Sequence, residues 1–368
     1  MIISACGKIS AVCWRNKGEI KIKKLLNTLY ITEEDAYLSL DGENIVIKLP
    51  DEQVFQMPFS NIESVFCFSY MGCSPALMGK LCEYGIALNF LSPQGRLLGR
   101  LQGTARGNVL LRTAQIKLFV SDDDTINEKV LGLIRNTVSA KIANSCSVLK
   151  RSLRDYPEID SDGAISICIE RLKGSAESVF GMNDKLEILG IEGSAAKAYF
   201  EVFDRMLIRQ REDFRMSYRT KRPPLDRINA LLSYLYTICT CDYAAALESV
   251  GLDSFVGYYH ELRPGRSSLA CDLVEETRCI IERMVITVIN LRQIKAEDFE
   301  EQPGGAVMLT KDGKKKVLSL WQEKKRSVIA HPFLKQKIPL GLLPFVQSSL
   351  LAKYVRGELD EYPSFLLK

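Results

Sequence analysis

Histidine is almost missing from this 368-residue chain, which holds only His260 and His331, so histidine-rich metal sites and proton relays are excluded before any motif is considered. The eleven cysteines are scattered singly, with no C-x-x-C and only Cys239 and Cys241 close together, which argues against both a zinc ribbon and a disulfide framework. A reducing cytoplasm is the expected compartment. Neither G-x-x-x-x-G-K-[ST] nor G-x-G-x-x-G occurs, leaving a nucleotide-hydrolysing P-loop and a dinucleotide fold without support. Apolar runs such as Met284–Leu291, bracketed by Arg283 and Arg292, stop well short of the ~20 residues that cross a bilayer, so no membrane association is expected. Met1–Ile22 carries Lys8, Arg15, Lys17, Glu19 and Lys21 without a signal-peptide core, and reads as a leader of unknown status. Charge of one sign is also scarce: 49 Lys and Arg against 45 Asp and Glu leave +4, too mild to announce nucleic acid unless it is gathered on one surface.

What is present is an ordinary folded composition, 46% apolar and 26% charged, at a length that favours two domains. From Leu25 to about residue 104 the period is near two. Leu25–Ile31, Ala36–Leu40, Asn44–Leu49, Val54–Met57, Ile62–Phe68, Ile86–Leu91 and Arg96–Leu101 are expected strands, with a hairpin turn at Asp41-Gly42. One helix interrupts them, from Ser74-Pro75 to Gly85. Past Gly99, Gly103 and Gly107 the period becomes 3.6, placing a domain boundary near residue 105. Ile126, Val130, Leu133, Ile134, Val138 and Ile142 draw one helical stripe, and Leu186, Leu189, Ala196, Tyr199, Phe200 and Phe203 another. Helices are expected after Pro224 and Ser268 and over Leu342–Arg356, and a small hairpin with arms Ala306–Thr310 and Lys315–Leu318 around Asp312-Gly313. The expected fold class is α+β: a leader over 1–22, an N-terminal β-sheet domain over 23–104 and a larger all-α domain over 105–368.

Three features could carry chemistry. His260 lies in the turn-rich loop Gly257–Arg266, followed by a helix with Asp272, Glu275 and Glu276, spaced to share one face. Asp272 interrupts the apolar set Leu269, Leu273 and Ile280, and an inward carboxylate needs a partner such as a divalent cation; acids solvated at a helix N-terminus are the plainer reading. Next, glycines and alanines stand inside the helical pattern of Gly190–Phe200, where glycine costs ~1 kcal/mol against alanine and needs a reason, close approach of another helix being one. If that neighbour is the 268–290 helix, Glu192 meets His260 and Glu275 in an oxygen-and-imidazole site suited to Mg²⁺ or Mn²⁺; otherwise this is a plain helix contact. Finally, basic residues gather over 205–222 and 311–326, and with Arg263 and Arg266 they point to a polyphosphate, against the alternative of a solvated helix face. His260-x-x-Arg263 echoes tyrosine recombinases, but no tyrosine follows near enough to serve as nucleophile, and no cysteine has a supporting signature.

Jointly, Ala140–Asn144 with Leu149–Arg151, Gly190–Phe200, Lys221–Asp226 with Asn229–Tyr234, and Gly257–Glu275 resemble the CRISPR-associated integrase and endonuclease family of the adaptation stage, the first-numbered Cas proteins. The resemblance spans 23–368. The tail, from Ile338–Pro344 through Arg356–Leu359 to Tyr362-Pro363, is similar to the subtype I-C form. The resemblance implies a homodimerising β domain and a helical domain whose metal ligands fall on Glu192, His260 and Glu275, with Asp272 as a supporting catalytic acid. Glutamate stands at 275 where many relatives have aspartate. It implies Mg²⁺ or Mn²⁺ as cofactor and insertion of new spacers into a CRISPR array by 3′-OH transesterification, with hydrolysis when water attacks. Arg222, Arg263 and Arg266 are the expected phosphate contacts on double-stranded DNA, both the fragment and the CRISPR repeat. Implied partners are the small second-numbered Cas subunit, which bridges two dimers into a heterohexamer, and a fragment-trimming Cas nuclease, in a prokaryotic cytoplasm. A repair nuclease that cuts without joining and a non-catalytic DNA scaffold are the competing classes.

Overall fold

The structure is a computed structural model; it describes residues 27–50, 54–93, 95–103, 109–121 and 123–367, with 11–16 and 19–24 described through their backbone. The expected boundary near residue 105 and most of the 1–22 leader lie outside the described residues. Strands β1 (Ala11–Asn16) and β2 (Glu19–Lys24) pair antiparallel, Ala11 opposite Lys24. There follow β3 (Asn27–Ile31), β4 (Tyr37–Asp41), β5 (Asn44–Lys48), β6 (Val54–Pro58), β7 (Ile62–Cys67), α1 (Pro75–Tyr84), β8 (Ala87–Leu91) and β9 (Leu97–Leu101). A four-stranded sheet of order β3-β7-β8-β9 is parallel except at β9, and β4-β5-β6 form an antiparallel meander.

Local signals account for these elements. Gly42 adopts φ +53°, which lets Asp41 pair with Asn44 across a two-residue turn. Ser74 caps α1 by accepting from the Leu77 amide at 3.3 Å, Pro75 fills the first helical position, and Gly85 ends the helix in left-handed geometry. Leu77 and Leu81 of α1, wholly buried, close one core with Leu38, Ile45, Ile47, Val65 and Leu88. Burying each such side chain is worth ~1.5–3 kcal/mol.

The helices continue as α2 (Val109–Phe119), α3 (Asp124–Asp155), α4 (Ala164–Ser178), α5 (Lys185–Glu201), α6 (Arg227–Ser249), α7 (Ser268–Val274), α8 (Arg278–Asn290), α9 (Lys311–Arg326) and α10 (Leu343–Val355). Short strand pairs precede and follow α9 in the chain: β10 (Phe299–Glu301) with β11 (Val307–Leu309), and β12 (Val328–His331) with β13 (Gln336–Pro339). The α+β class therefore holds.

The chain forms two compact units, and they do not follow a single cut. One combines the described residues of Met1–Arg106 with Leu309–Ile329 and Lys337–Leu343; the other holds the described remainder. Of the expected hairpin, the first arm contains β11, but its turn at Asp312-Gly313 and its second arm are instead the start of α9. Thr310 caps that helix by accepting from the Gly313 amide at 3.0 Å, and Val317, Leu318 and Trp321 repeat at helical spacing to bury one face. Within its unit α9 is bound to β3 and the loop after it: Lys311 and Lys315 pair with Glu33 of the loop, and Lys325, 3% exposed, donates to Thr28 Oγ1 of β3 at 2.8 Å. Lys311, Lys315 and Lys325 of the second basic stretch are thus engaged in packing within this unit.

In the helical unit the 32-residue α3 is the spine, capped by Asp123 and packed against α4, α5 and α8. Leu133, Ile134, Val138 and Ile142 are buried along it as its stripe requires. On α5 the expected stripe holds only in part, because Leu186 and Leu189 are exposed while Ile188, Ala195, Ala198 and Tyr199 are buried. Gly190 and Gly193 face open space, so close helix approach is not the reason for either. Helix α6 is long and apolar enough to cross a membrane, yet 67% of its apolar window is buried inside the protein, where it packs on α7 and α8.

Candidate functional site

The four expected site residues, Glu192, His260, Asp272 and Glu275, all lie in the helical unit, Asp272 on α7 and the other three on elements that meet beside α3. Glu192 sits midway along α5, and His260 is in the loop between α6 and α7. Glu275 opens a single 3₁₀ turn, Glu275–Thr277, joining α7 to α8.

Asp272 fixes His260. Fully buried, it accepts from the amides of Tyr258 (2.8 Å), Tyr259 (3.1 Å) and His260 (2.9 Å), and its Oδ1 lies 2.6 Å from His260 Nδ1. Four contacts from one loop satisfy an otherwise costly buried carboxylate and set the ring's orientation. With Nδ1 held by Asp272, Nε2 is left facing Glu275 Oε1 at 3.7 Å. Gly257 makes this wrapping possible, since a Cβ there would meet Asp272 Oδ2 at 2.6 Å and the Leu269 amide nitrogen at 2.9 Å.

Glu275 is 3% exposed and surrounded by cations. Arg278 Nη2 is 2.9 Å from Oε1, and Lys141 Nζ is 2.6 Å from Oε2 and also pairs with Glu192 Oε1. Burial alone would raise the Glu275 carboxyl, but Arg278, Lys141 and His260 hold it down at about 2. The same balance operates on Lys141, where burial disfavours the ammonium and Glu275 and Glu192 more than restore it. Arg278 is braced over the Tyr236 ring at 4.7 Å, and Tyr236 donates to buried Glu282 at 2.6 Å.

Glu276 departs from the expectation that it shares a face with Asp272 and Glu275. It turns to α10 and the C-terminal tail, where its Oε2 accepts from Gln347 Nε2 (2.7 Å) and the Phe365 amide (2.8 Å). Burial pushes its carboxyl up to about 7.

Glu192, His260 and Glu275 border an open cleft of about 590 Å³ that also receives Lys141, Arg219, Lys221, Arg266 and Arg278. Of the three expected phosphate contacts only Arg266 lines it. Arg263 is tied to Glu261 within its own loop at 2.5 Å, and Arg222 is exposed outside the lining. Arg219 and Lys221 come from the basic stretch 205–222, whereas Lys141 and Arg278 were not anticipated as site residues. Arg219 is held in the wall by Asn229 Oδ1 (2.7 Å) and Ser233 Oγ (3.1 Å).

Among the described residues no three His, Cys, Asp or Glu side chains already surround a common point as ligands, and here the Lys141 ammonium stands between the two carboxylates. The donor set nonetheless fits a divalent ion. Two carboxylates and an imidazole braced through its other nitrogen are hard and borderline donors suited to Mg²⁺ or Mn²⁺, and the ammonium shows that the place favours a cation.

The family model described as CRISPR associated protein Cas1 matches residues 29–323. A CRISPR-associated endonuclease Cas1 of Chlorobaculum tepidum is 41% identical over 346 residues, covering 94% of this chain and 99% of that protein. Among solved structures, a casposase bound to integration product superposes with a TM-score of 0.77 at 23% identity, covering 92% of this chain and 93% of that one. A Cas6-RT-Cas1–Cas2 complex gives 0.75 at 22% identity, covering 95% of this chain and 38% of that one. These two likenesses show the shared fold. With the family model matching most of its length and a relative aligned almost end to end, the chain belongs to the Cas1 family of CRISPR-associated proteins.

Proposed function

We propose that this Cas1-family protein inserts new spacers into a CRISPR array by metal-dependent transesterification, and that Glu192, His260 and Glu275 hold the metal. The observation that carries the reading is their convergence on a cleft whose remaining charged lining is mostly cationic. A Mg²⁺ or Mn²⁺ ion bound there supplies Lewis-acid activation of the attacking hydroxyl and neutralises charge at the phosphorus. In the reaction a fragment 3′-OH loses its proton and bonds to phosphorus as a repeat P–O bond breaks, releasing a 3′-OH. One phosphodiester replaces another and no nucleotide triphosphate is consumed.

The chain's own residues prepare that exchange. Asp272 keeps His260 Nδ1 engaged so that Nε2 faces Glu275, and Arg278 orients the Glu275 carboxylate. Lys221, Arg219 and Arg266 offer charge to the phosphates of double-stranded DNA, holding it in line with the attacking group. Arg222 and Arg263, exposed beyond the cleft, belong to the outer path of the same strands. The wider reading includes a homodimer through the β domain over 23–104, bridging by the small Cas2-type subunit into a heterohexamer, and trimming by a Cas nuclease. It also includes subtype I-C and a prokaryotic cytoplasm. The solved Cas6-RT-Cas1–Cas2 complex supports the Cas2 part.

Incubation with the small subunit, a labelled fragment and a supercoiled array tests the proposal. The wild type transfers the label into the array, and His260→Ala abolishes transfer and cleavage while keeping fold and DNA binding. Nicking without joining would instead mark a nuclease, and activity that survives His260→Ala would mark a scaffold.

A further inference from the structure

Resting on the metal reading above, we infer that Lys141 is a resident counter-cation for the ligand pair: its ammonium occupies the place between Glu192 and Glu275 in the metal-free protein, and a divalent ion must displace it to bind. Three elements bring charge to this point, α3 with Lys141, α5 with Glu192 and the turn after α7 with Glu275. The side chains are only 16%, 19% and 3% exposed, so water screens them little. Two carboxylates held together in such a place repel unless a cation stands between them.

Arg278 cannot fill that role. It touches the other oxygen of Glu275, Oε1, and is stacked over Tyr236 at 4.7 Å, a planar group fixed against the wall. Among the described residues Glu275 Oε2 is left to Lys141 alone, a compact ammonium on a flexible four-carbon stem that reaches the open cleft. Of the cations around Glu275, Lys141 is the one able to withdraw. It is therefore a positioning residue, keeping Glu192 and Glu275 in register before metal arrives and setting how tightly metal binds.

The test uses the full chain stripped with EDTA and desalted, with Mn²⁺ as the probe. Free Mn²⁺ is followed by electron paramagnetic resonance, and unfolding by circular dichroism. Lys141→Met is expected to melt at a lower temperature without metal, yet to bind Mn²⁺ roughly ten-fold tighter, because a positive charge ~4 Å from the site is gone. Lys141→Arg keeps the charge and stays near the wild-type affinity. A merely structural lysine predicts the opposite, since loosening the site weakens binding. Folded Lys141→Met that binds Mn²⁺ no tighter than a wild type whose binding depends on Glu192 overturns this inference alone. Absence of Glu192-dependent binding in both proteins overturns the metal reading and this inference with it. A Lys141→Met chain that folds only with Mn²⁺ supports the inference; one that folds in neither condition is replaced by Lys141→Gln under the same affinity criterion.

Discussion

At the scale of single residues, the site depends on an absent side chain as much as on those present. Gly257 leaves room for Asp272 against the amides of Tyr258, Tyr259 and His260, and the atoms nearest its missing Cβ include backbone that cannot yield. Gly257→Ala is therefore expected to cost ~1–3 kcal/mol by overpacking and to weaken Mn²⁺ binding as Asp272 loses its grip on His260. Gly190→Ala on α5, where a Cβ meets open space, is expected to stabilise by ~0.5–1 kcal/mol. Denaturant melts of the two variants check both signs, and equal effects would mean that Gly257 is not packed as described. The sequence made Asp272 legible as an inward acid because it breaks an apolar set, but backbone amides leave no mark in a side-chain pattern, so its partners were not. Lys141 was hidden by its ordinary surroundings. A signal was available nonetheless: it stands seven residues after Ile134 and three after Val138, on the apolar stripe of α3, where an isolated lysine needs an acidic partner.

At the scale of elements, α9 shows why the β unit was legible as strands yet incomplete. Short strands punctuated by Asp41-Gly42, Ser74-Pro75 and Gly85 carry their own stop signals. The piece of α9 between Lys315 and Leu318, however, is too short to separate a period of two from one of 3.6. Its cap at Thr310 and its apolar partner Trp321 lie at the two ends of the pattern, outside that window. The attachment of α9 is open to a pH test. Hydrogen bonds and charge from Lys311 and Lys315 hold the Glu33 carboxyl at about 2, against an ordinary 4.5. A lowered native value means that the folded protein stays ionised while the unfolded chain takes up a proton. The stabilisation is then complete above about 4.5 and drains away as pH falls toward 2. Glu33→Gln should be less stable than the wild type by ~1 kcal/mol at pH 7, and the gap should close on acidification through that window. A difference constant across the range would show that the lysines do not act through the charge of Glu33.

At the scale of the whole molecule, a net charge of +4 predicts little, because cations of equal number are spent in different ways. Lys311 and Lys315 neutralise Glu33, whereas Lys221 and Arg266 face an open cleft beside Glu192 and Glu275. Replacing either pair by glutamine lowers the net charge equally, from +4 to +2. If overall charge governed DNA affinity, both doubles would weaken binding alike. Affinity for duplex DNA depends instead on phosphates neutralised at the contact, each adding ~0.9 to the slope of log affinity against log salt. Lys221→Gln with Arg266→Gln is thus expected to flatten that slope by ~1.8, and Lys311→Gln with Lys315→Gln to leave it unchanged. The comparison is made by titrating a labelled duplex across a range of salt concentrations. Equal slopes for the two doubles would move the DNA path away from the cleft and remove the support that its cations give to in-line positioning of the scissile phosphate. A selective loss in the cleft pair would place the phosphate path beside the side chains that we propose hold the metal.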